Sequence, residues 1–353
     1  MKITFCFPAH NYDRPIGGYK VVYEYANRLV SLGYEVNIVY CIENSLKRYH
    51  LPEGLRIVIL KSIVAGSPKW FQLNKNITRV MAKSLVDKYI PDADVVFATA
   101  VETAGPVSRL SVSKGKKFYL IQDFENWIYS DEQVIETYKL GLTNITVSKW
   151  IYTLLENKGI ASCYIRNAID TSLFKPTKSI KERNKYTVGL LYHKSVNKGV
   201  KYAVEGLQRV KKNYPELEVY AFGNAKRPME LPQWFHYMEK ASQSQVIDLY
   251  NNCAVFLCAT VEEGFGLTGL ESMACGCALV SSSYSAVFEY AENEKNSVLY
   301  PVKDVESMYK SICRVIDDDE LRIRIAEMGV ETAKKYSWDR AVRQMRDLFN
   351  DQQ

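Results

Sequence analysis

The sequence EGFGLTGLE, residues 263–271, follows the apolar run Ala254–Ala259 and precedes a second apolar run, Ala278–Ser283. Apolar runs of this length are typical of buried strands, while Leu267–Cys275 has the length and spacing of a helix. Parallel strands need a long crossover between them, and a helix is the usual crossover. The stretch therefore predicts a strand, a glycine-containing turn, a helix and a parallel strand.

The same alternation extends back to the start of the chain. Gly33 and Gly159 each follow a predicted helix, where a left-handed residue commonly ends one. The predicted strands here are Lys2–Pro8, Glu35–Cys41, Leu55–Lys61, Asp94–Ala100, Lys117–Gln122, Asn144–Ser148 and Cys163–Asn167. The predicted helices are Tyr19–Leu32, Trp70–Tyr89, Thr103–Leu110, Glu132–Leu140 and Lys149–Lys158. This order predicts a doubly wound α/β domain with a parallel sheet.

A second domain of the same kind follows a linker. The stretch Asp170–Tyr186 contains Pro176 and a charged run, which are typical of a connection between domains. The strands predicted after it are Thr187–Tyr192, Leu217–Gly223, Trp234–Met238, Ala254–Ala259 and Ala278–Ser283. The predicted helices are Val200–Asn213, Gln245–Asn251, Leu267–Cys275, Val305–Asp317 and Glu320–Tyr336, and Ser337-Trp338 begins a last one. Two such domains are expected to bind a ligand in a cleft between the carboxyl ends of their strands.

The composition excludes several classes of protein. Of 353 residues, 47% are hydrophobic and 24% are charged, as in ordinary globular proteins. The formal charge of +6 is too small to indicate nucleic-acid binding. No apolar run approaches the ~20 residues that span a bilayer, and residues 1–8 do not resemble a signal peptide. We therefore expect a cytoplasmic protein with no nucleic-acid partner.

The cysteines do not indicate a metal site. The chain has eight cysteines, most of them within apolar runs, where cysteine behaves as a small buried hydrophobe. Cys275 and Cys277 have no second pair and no nearby histidine that would complete a zinc site. We expect neither a bound metal nor disulfides.

The glycine turn has chemistry of its own. Gly264 and Gly266 allow a ligand to approach the backbone closely, and the N-terminus of the helix after them offers N–H groups to an anion such as phosphate. Glu263 lies before the turn and Glu271 about one helical turn inside the helix. A carboxylate is a good acceptor for a pair of vicinal hydroxyl groups. Either carboxylate alone would be read as an ordinary surface residue.

The full pattern is similar to that of a known enzyme family. Glu263 and Glu271, with seven residues between them, resemble the E-x7-E signature of retaining glycosyltransferases of family 4, which have the GT-B fold of two Rossmann-like domains. Further motifs that resemble this family are Gly17-Gly18-Tyr19, Gly33-Tyr34-Glu35-Val36, Arg166-Asn167-Ala168-Ile169-Asp170, Phe174-Lys175-Pro176, Lys198-Gly199 and Ser337-Trp338. The resemblance covers almost the whole chain. It implies an N-terminal acceptor-side domain of residues 1–176, joined by a returning helix of residues 338–353, and a nucleotide-sugar domain of residues 177–337.

The resemblance also implies roles for individual residues. Glu263 matches the glutamate that contacts the donor sugar and stabilises the reacting centre, and Lys198 matches the lysine that binds the diphosphate. Glu271 matches the glutamate that holds the ribose hydroxyls. The remaining donor-binding residues implied by the family are Gly17, Gly18, Phe265, Gly266, Leu267 and Thr268.

Two positions depart from the family pattern. The family usually has an arginine five residues before the diphosphate lysine, where this chain has His193. A neutral histidine can still donate to a phosphate, and Lys194 could supply the missing positive charge. The family commonly has a histidine that faces the donor sugar, and the counterpart here is Gln122, in the sequence Gln122-Asp123-Phe124-Glu125. Glutamine can bind a sugar hydroxyl but cannot carry a proton at neutral pH, which favours a positioning role.

The implied reaction moves a hexose or deoxyhexose, with retention, from a nucleotide-diphosphate sugar to a glycan or lipid-linked glycan. Tyr192-His193 with Lys198-Gly199, and Gln122-Asp123-Phe124-Glu125, resemble patterns of bacterial members that build rhamnose-containing or related surface polysaccharides. This resemblance implies a rhamnosyltransferase-like role in the synthesis of a surface polysaccharide or glycoconjugate. The expected enzyme needs no metal and no cofactor besides its donor substrate. The alternative is a non-catalytic GT-B partner subunit that binds a nucleotide sugar or a glycan.

A membrane contact is a further expectation. The predicted helix Trp70–Tyr89 carries four basic residues, Lys75, Arg79, Lys83 and Lys88, against one acidic residue, and begins with Trp70 and Phe71. A basic amphipathic helix with aromatic residues can lie on the inner face of an anionic membrane, where it would serve a lipid-linked acceptor. The alternative is a solvated helix whose apolar side belongs to the core.

Overall fold

The computed structural model describes residues 1–48 and 52–350, which form two compact units. Unit 1 comprises Met1–Arg166 and Ala341–Gln353, and unit 2 comprises Asn167–Arg340. Each unit is a parallel sheet with helices between successive strands. This arrangement confirms the predicted fold class of two doubly wound Rossmann-like domains.

The sheet of unit 1 has seven strands in the order β3-β2-β1-β4-β5-β6-β7, all paired in parallel. Its strands are β1 (Lys2–Phe7), β2 (Glu35–Cys41), β3 (Thr78–Ala82), β4 (Val95–Ala98), β5 (Lys116–Ile121), β6 (Thr143–Thr146) and β7 (Cys163–Tyr164). Its helices are α1 (Gly17–Ser31), α2 (Glu43–Arg48), α3 (Glu53–Ala65), α4 (Val101–Ser108), α5 (Asp131–Thr137) and α6 (Lys149–Glu156). The strand order reverses between β1 and β4, which is where doubly wound sheets bind their ligands.

The sheet of unit 2 has six parallel strands in the order β10-β9-β8-β11-β12-β13. Its strands are β8 (Thr187–Leu191), β9 (Glu218–Gly223), β10 (Phe235–Glu239), β11 (Val255–Cys258), β12 (Ala278–Ser282) and β13 (Ser297–Tyr300). Its helices are α7 (Val200–Asn213), α8 (Gln243–Asn252), α9 (Leu267–Ala274), α10 (Val305–Asp317) and α11 (Asp319–Ala333). The order reverses between β8 and β11, and β13 is a strand that the apolar pattern did not reveal.

The last helix, α12 (Trp338–Asn350), belongs mainly to unit 1. Phe5, Phe97 and Phe118 stack on three neighbouring strands of that sheet, with ring centroids 4.8 and 5.2 Å apart. Phe349 of α12 meets Phe97 and Phe118 edge-on at 6.1 and 5.9 Å. These contacts hold the C-terminal helix on unit 1.

The boundary between the units lies at Arg166 and Asn167, before the predicted boundary at residue 176. The stretch interpreted as a linker is bound to unit 2 through its backbone. Thr177 N donates to Asn251 Oδ1 at 2.7 Å, and Asn251 Nδ2 donates to Lys175 O at 3.2 Å. These hydrogen bonds explain why the proline and the charged run do not mark a free connection.

Two predicted elements of unit 1 are wrong. The predicted strand Leu55–Lys61 is part of helix α3, in which Leu60 and Val64, one helical turn apart, are buried. A short apolar run does not by itself distinguish a strand from a helix. The predicted helix Trp70–Tyr89 does not form, because Thr78–Ala82 pairs with β2 as strand β3 and extends the sheet. The basic amphipathic helix that suggested a membrane contact is therefore absent.

Within residues 1–48 and 52–350, every helix is too short or too polar to cross a membrane.

Candidate functional site

The glycine turn before α9 is held by two buried tyrosines. Gly266 has φ +91°, a conformation that side chains rarely adopt. A Cβ atom at this position would lie 2.0 Å from the Tyr284 hydroxyl and 2.6 Å from the Tyr290 hydroxyl. The Tyr290 hydroxyl donates to Gly266 O at 2.9 Å and lies 2.9 Å from the Tyr284 hydroxyl. Both rings are buried, so the pair forms a fixed support beneath the turn.

The two tyrosines fix the orientation of the backbone N–H groups in the turn. Gly269 N and Leu270 N donate to Gly266 O, at 3.1 and 3.4 Å, as the first hydrogen bonds of α9. The N–H groups of Leu267 and Thr268 precede them and occupy the first turn, whose N–H groups have no acceptor within a helix. An anion at this helix N-terminus would meet these groups and the positive end of the helix dipole.

We expect Tyr290→Phe to lower nucleoside diphosphate affinity about fivefold, which corresponds to about 1 kcal/mol. The variant keeps the ring but removes the hydroxyl that holds Gly266 O, so the N–H groups of the turn lose their fixed direction. Titration calorimetry with the nucleoside diphosphate that protects the wild type measures the change. Tyr220→Phe is the control, because the Tyr220 hydroxyl donates to Glu218 Oε2 at 2.6 Å at the amino end of β9, away from the turn. Equal affinities in the two variants would contradict the role of Tyr290.

Lys198 and Glu263, the two residues predicted to be catalytic, form an ion pair. Lys198 Nζ lies 2.5 Å from Glu263 Oε1, and the two side chains are only 22% and 19% exposed. Lys198 ends a 3-10 turn after β8, and Glu263 follows β11, the neighbouring strand. The pair thus stands at the carboxyl ends of the two central strands, where the strand order reverses.

Backbone contacts bring together the two loops that carry Lys198 and Glu263. Gly199 has φ +61°, and a Cβ atom there would lie 1.8 Å from Ala259 O. Val261 N also donates to Asn197 O at 2.7 Å. The loop after β8 is therefore pressed against the loop after β11, and only glycine fits at the closest approach.

His193 stands beside the ion pair as a neutral donor. Burial and the neighbouring Lys198 lower the pKa of His193, although part of the ring stays exposed. Ser195 N donates to His193 Nδ1 at 3.0 Å, which places the proton on Nε2. The side chain can therefore donate from Nε2, as the sequence analysis expected for a phosphate ligand. Lys194 next to it is exposed, and its charge helps to lower the pKa of Glu230.

Glu271 and Thr268 lie on α9 itself. Glu271 is 7% exposed, and its charge acts on the hydroxyl of Tyr250 and the thiol of Cys275. Thr268 approaches Cys258, whose thiol also lies near Lys198 and Glu263. Unit 2 thus brings together Lys198, Glu263, His193, the glycine turn and α9. Lys194 lies at the edge of this group.

The unit 1 residues predicted to bind the donor also come together. A Cβ atom on Gly18 would lie 3.3 Å from Gln122 Nε2, a tight contact, so α1 packs closely against this amide. Gln122 Nε2 donates to Thr99 O at 3.4 Å, and its Oε1 is buried without a hydrogen-bond partner. Gly17 has no close neighbour that would exclude a side chain.

Glu125 is a residue that the sequence reasoning did not assign, although it stands in the same stretch as Gln122. Its carboxylate accepts a hydrogen bond from Val101 N, the first residue of α4. Burial raises the pKa of Glu125 to about 8, and the charges of Glu102 and Asp123 act in the same direction. The signal available in the sequence was the acidic run Asp123-Phe124-Glu125 directly after a buried strand.

Glu125 predicts a pH dependence of stability. Because its folded pKa is raised, unfolded Glu125 ionises near pH 4.5 while the folded carboxyl stays protonated to about pH 8. The contribution of Glu125 to the free energy of unfolding is therefore most favourable below pH 4.5 and becomes less favourable as the pH rises toward 8. Relative to Glu125→Gln, we expect the wild type to lose roughly 1–3 kcal/mol of unfolding free energy between pH 5 and 8. Urea unfolding of both proteins at these pH values measures the difference, and parallel profiles would contradict the raised pKa.

Two Asp-x-Asp triplets occur in the chain, and neither lies at the carboxyl ends of β8 and β11. Asp92 accepts from Lys114 Nζ at 2.7 Å, and Asp94 accepts from Lys2 N at 2.6 Å. The second triplet, residues 317–319, spans the junction of α10 and α11. Among the residues that the structure describes, no three His, Cys, Asp or Glu side chains are grouped so as to hold a metal ion.

Comparison with known proteins shows that the chain is similar to glycosyltransferases. Residues 183–318 match the family model described as "Glycosyl transferases group 1". The chain is 24% identical over 229 residues to "Uncharacterized glycosyltransferase MJ1178" of Methanocaldococcus jannaschii, a match that covers 61% of this chain and 62% of that protein. It is 23% identical over 113 residues to the D-inositol 3-phosphate glycosyltransferase of Corynebacterium urealyticum, covering 32% of this chain and 27% of that enzyme. The matches thus span less than two thirds of these relatives.

Solved structures share the whole fold. Sucrose-phosphate synthase from Thermosynechococcus elongatus superposes with a TM-score of 0.77 at 13% identity, covering 99% of this chain and 98% of that one. Anabaena Alr3699/HepE in complex with UDP and glucose superposes with a TM-score of 0.75 at 15% identity, covering 99% and 100%. Together with the family model, these neighbours confirm the resemblance to glycosyltransferases of the GT-B fold.

Proposed function

We propose that this GT-B chain, with its group 1 glycosyltransferase domain, is a metal-independent retaining glycosyltransferase. It moves a hexose or deoxyhexose from a nucleotide-diphosphate sugar to a glycan or lipid-linked glycan in the synthesis of a surface polysaccharide or glycoconjugate. The observation that carries the proposal is the Lys198–Glu263 ion pair, which stands at the strand reversal of unit 2 with the N-terminus of α9 beside it. The Anabaena neighbour, whose complexes contain UDP and UDP-glucose, supports a nucleotide sugar as donor.

The site offers several positive groups to a diphosphate. The N–H groups of Leu267 and Thr268, the Lys198 ammonium and the His193 Nε2–H can each donate to its oxygens, and the exposed Lys194 adds charge. Because charge grows on the diphosphate as the bond to the sugar breaks, donors fixed in advance stabilise the transition state more than the bound substrate. These groups supply the electrostatic help that a metal ion supplies elsewhere.

The ion pair suggests which contacts of Lys198 and Glu263 change when the donor binds. In the proposed reaction, Lys198 exchanges Glu263 for a diphosphate oxygen, and the released Glu263 carboxylate faces the sugar. The C1–O bond to the diphosphate breaks, and the acceptor hydroxyl forms its bond to C1 on the same face. The hydroxyl proton passes to the departing diphosphate. Glu263 stabilises the positive charge that develops on the sugar ring.

The acceptor is proposed by chemical class alone. A glycan or a lipid-linked glycan suits the reaction, and the latter would place the enzyme at the inner face of the membrane. The basic helix Trp70–Tyr89, which suggested a membrane contact, does not form, because this part of the chain contains strand β3. The structure therefore offers no support for a membrane contact through this helix. The other candidate function, a non-catalytic binding subunit, would bind the same nucleotide sugar without turnover.

A panel of UDP-, GDP- and dTDP-sugars tests the proposal. At least one should raise the melting temperature, because a ligand that binds only the folded state stabilises it. The same compound should then be consumed, with release of the nucleoside diphosphate. Protection without consumption would favour the non-catalytic subunit, and the absence of protection by any compound would contradict both functions.

We expect Glu271→Ala to weaken binding of donor and free nucleoside diphosphate alike. A charged hydrogen-bond partner of the ribose contributes ~1–3 kcal/mol, which is about a 5- to 150-fold loss in affinity. Titration calorimetry with the nucleoside diphosphate measures the loss, and far-UV circular dichroism shows whether the variant is folded. Glu292→Ala on the surface of the same unit is the control. A folded Glu271→Ala protein with unchanged affinity would show that Glu271 does not hold the ribose.

A further inference from the structure

The loop after β5 carries an exposed apolar tip at the ligand-binding edge of unit 1. Trp127 is 56% exposed and Ile128 is 63% exposed. The loop begins with Gln122, directly after the carboxyl end of β5, and ends at Ser130, which caps α5. The hydration of an exposed tryptophan beside an exposed isoleucine is unfavourable, and a ligand or partner that covers them removes this apolar surface from water.

The loop is anchored on both sides of this tip. Phe124 is buried, and Asn126 N donates to Phe124 O at 2.8 Å. Asn126 Nδ2 donates to Asp131 Oδ1 at 3.0 Å, which ties the loop to the start of α5. Trp127 and Ile128 are therefore presented by a fixed support and do not lie in a loose segment.

Glu125 anchors the loop, although burying its carboxyl group destabilises the fold. Its carboxyl group is largely enclosed and accepts from Val101 N at the start of α4. The titratable groups around it include two acids, Glu102 and Asp123, and three tyrosines, Tyr19, Tyr119 and Tyr138. Burying a carboxyl group among other acids destabilises the fold, and such costs are concentrated at functional sites.

Gln122 adds a polar group at the same edge. Its Oε1 is buried without a partner, although buried polar atoms are nearly always hydrogen-bonded. Gly18 packs directly against this amide. A ligand hydroxyl that donates to Oε1 would supply the missing hydrogen bond.

We propose that Gln122–Ile128 is an acceptor-recognition loop, in which Trp127 stacks on a sugar ring of the acceptor and Glu125 positions the loop. The proposal rests on the proposed glycosyltransferase function and adds the part of unit 1 that receives the acceptor. A tryptophan offers a flat apolar face with a polar N–H at its edge, which suits the mixed apolar and hydroxyl surface of a sugar ring.

The charge of the loop favours a sugar over a membrane. Tryptophan and isoleucine also suit a lipid interface, but membrane-binding segments pair such residues with lysine and arginine. Residues 122–132 carry Asp123, Glu125, Asp131 and Glu132 and no lysine or arginine. Apart from the enclosed Glu125, these groups are carboxylates that would repel an anionic bilayer, whereas they can accept hydrogen bonds from sugar hydroxyls.

Fluorescence titration tests the contact without relying on turnover. The probes are the methyl and octyl glycosides of glucose, galactose, mannose and rhamnose. We expect at least one methyl glycoside to shift the tryptophan emission of the wild type, and the shift to disappear in Trp127→Phe. No shift with any methyl glycoside, or a shift that survives in Trp127→Phe, would overturn the proposal. A response to octyl glycosides alone, or to anionic vesicles, would show an apolar or membrane contact and overturn it as well.

Transfer to the responding glycoside gives the second measurement. Trp127→Ala should raise the KM for this acceptor at least tenfold, while the affinity for the nucleoside diphosphate stays within twofold of the wild type. Val112→Ala is the matched control, since Val112 is 94% exposed on the same unit, before the amino end of β5. Unchanged acceptor KM in Trp127→Ala would refute the contact while leaving the proposed glycosyltransferase function intact.

Glu125 is tested as a positioning residue. Glu125→Gln keeps an oxygen that can accept from Val101 N, so its acceptor KM should stay within threefold of the wild type. Glu125→Ala should raise the acceptor KM as much as Trp127→Ala does, with a smaller change in kcat. If Glu125→Ala lowers the melting temperature and leaves the KM unchanged, Glu125 is a structural residue only.

Discussion

Glu263→Gln is expected to lower the rate of sugar transfer by ~10²–10³-fold, the loss that follows removal of one preorganised electrostatic group. Glutamine has nearly the same shape and keeps one oxygen that can accept from Lys198. It lacks the charge that stabilises the positive sugar ring. Transfer measured at saturating donor should therefore fall, while affinity for the nucleoside diphosphate should stay near that of the wild type.

The fold should tolerate this change. Glutamine still offers Lys198 an acceptor, so the ammonium is not left without a partner, and the free energy of unfolding should fall by only about 1–2 kcal/mol. Glu306→Gln, which alters a surface carboxylate near Arg209, is the control for a lost charge in the same unit. Transfer by Glu263→Gln at the wild-type rate would refute the role of Glu263. If the variant instead unfolds, Glu263 is a structural residue.

Lys198→Ala is expected to lower kcat at saturating donor by ~10²-fold or more. Removing the ammonium takes away a charge that acts most strongly when the diphosphate departs. It also leaves the Glu263 carboxylate without its partner, so this carboxylate would repel the diphosphate. Steady-state kinetics with varied donor separate kcat from KM.

The comparison with two further variants makes the test specific. Lys201→Ala removes an exposed lysine three residues away on α7 and should behave as the wild type does. Lys198→Ala combined with Glu263→Gln should recover part of the lost donor affinity, because the repelling charge is gone, but not the lost kcat. A change in KM alone would mean that Lys198 binds donor and transition state equally.

Much of unit 2 could be predicted because its sequence is locally consistent. Helices Val200–Asn213 and Val305–Asp317 begin and end where the apolar spacing and caps predict. In unit 1 the same reasoning failed twice between residues 55 and 89. Whether Thr78–Ala82 forms a strand depends on pairing with β2, and this pairing is a tertiary contact that local spacing does not contain.

Some features of the candidate site could also be predicted from the sequence, whereas others depend on contacts in the folded chain. Glu263 and Glu271 could be assigned because the E-x7-E motif fixes their spacing, and Lys198 because it stands in a Lys-Gly pair that precedes a helix. The hydrogen bond from Tyr290 to Gly266 O and the one from Val101 N to Glu125 each join residues that are 24 positions apart in sequence. No local pattern marks them, so they became apparent only from the folded chain. The ion pair of the two catalytic candidates belongs to this second group as well.

Solvolysis of the donor in aqueous methanol tests retention at the Lys198–Glu263 site without any knowledge of the natural acceptor. The protecting nucleotide sugar is incubated with the enzyme, and the methyl glycoside is identified by proton NMR, since this product cannot change its anomeric configuration afterwards. We expect the wild type to form a methyl glycoside with the configuration of the donor, and Glu263→Gln to form almost none. A product of inverted configuration, or equal product from both proteins, would contradict retention through this site.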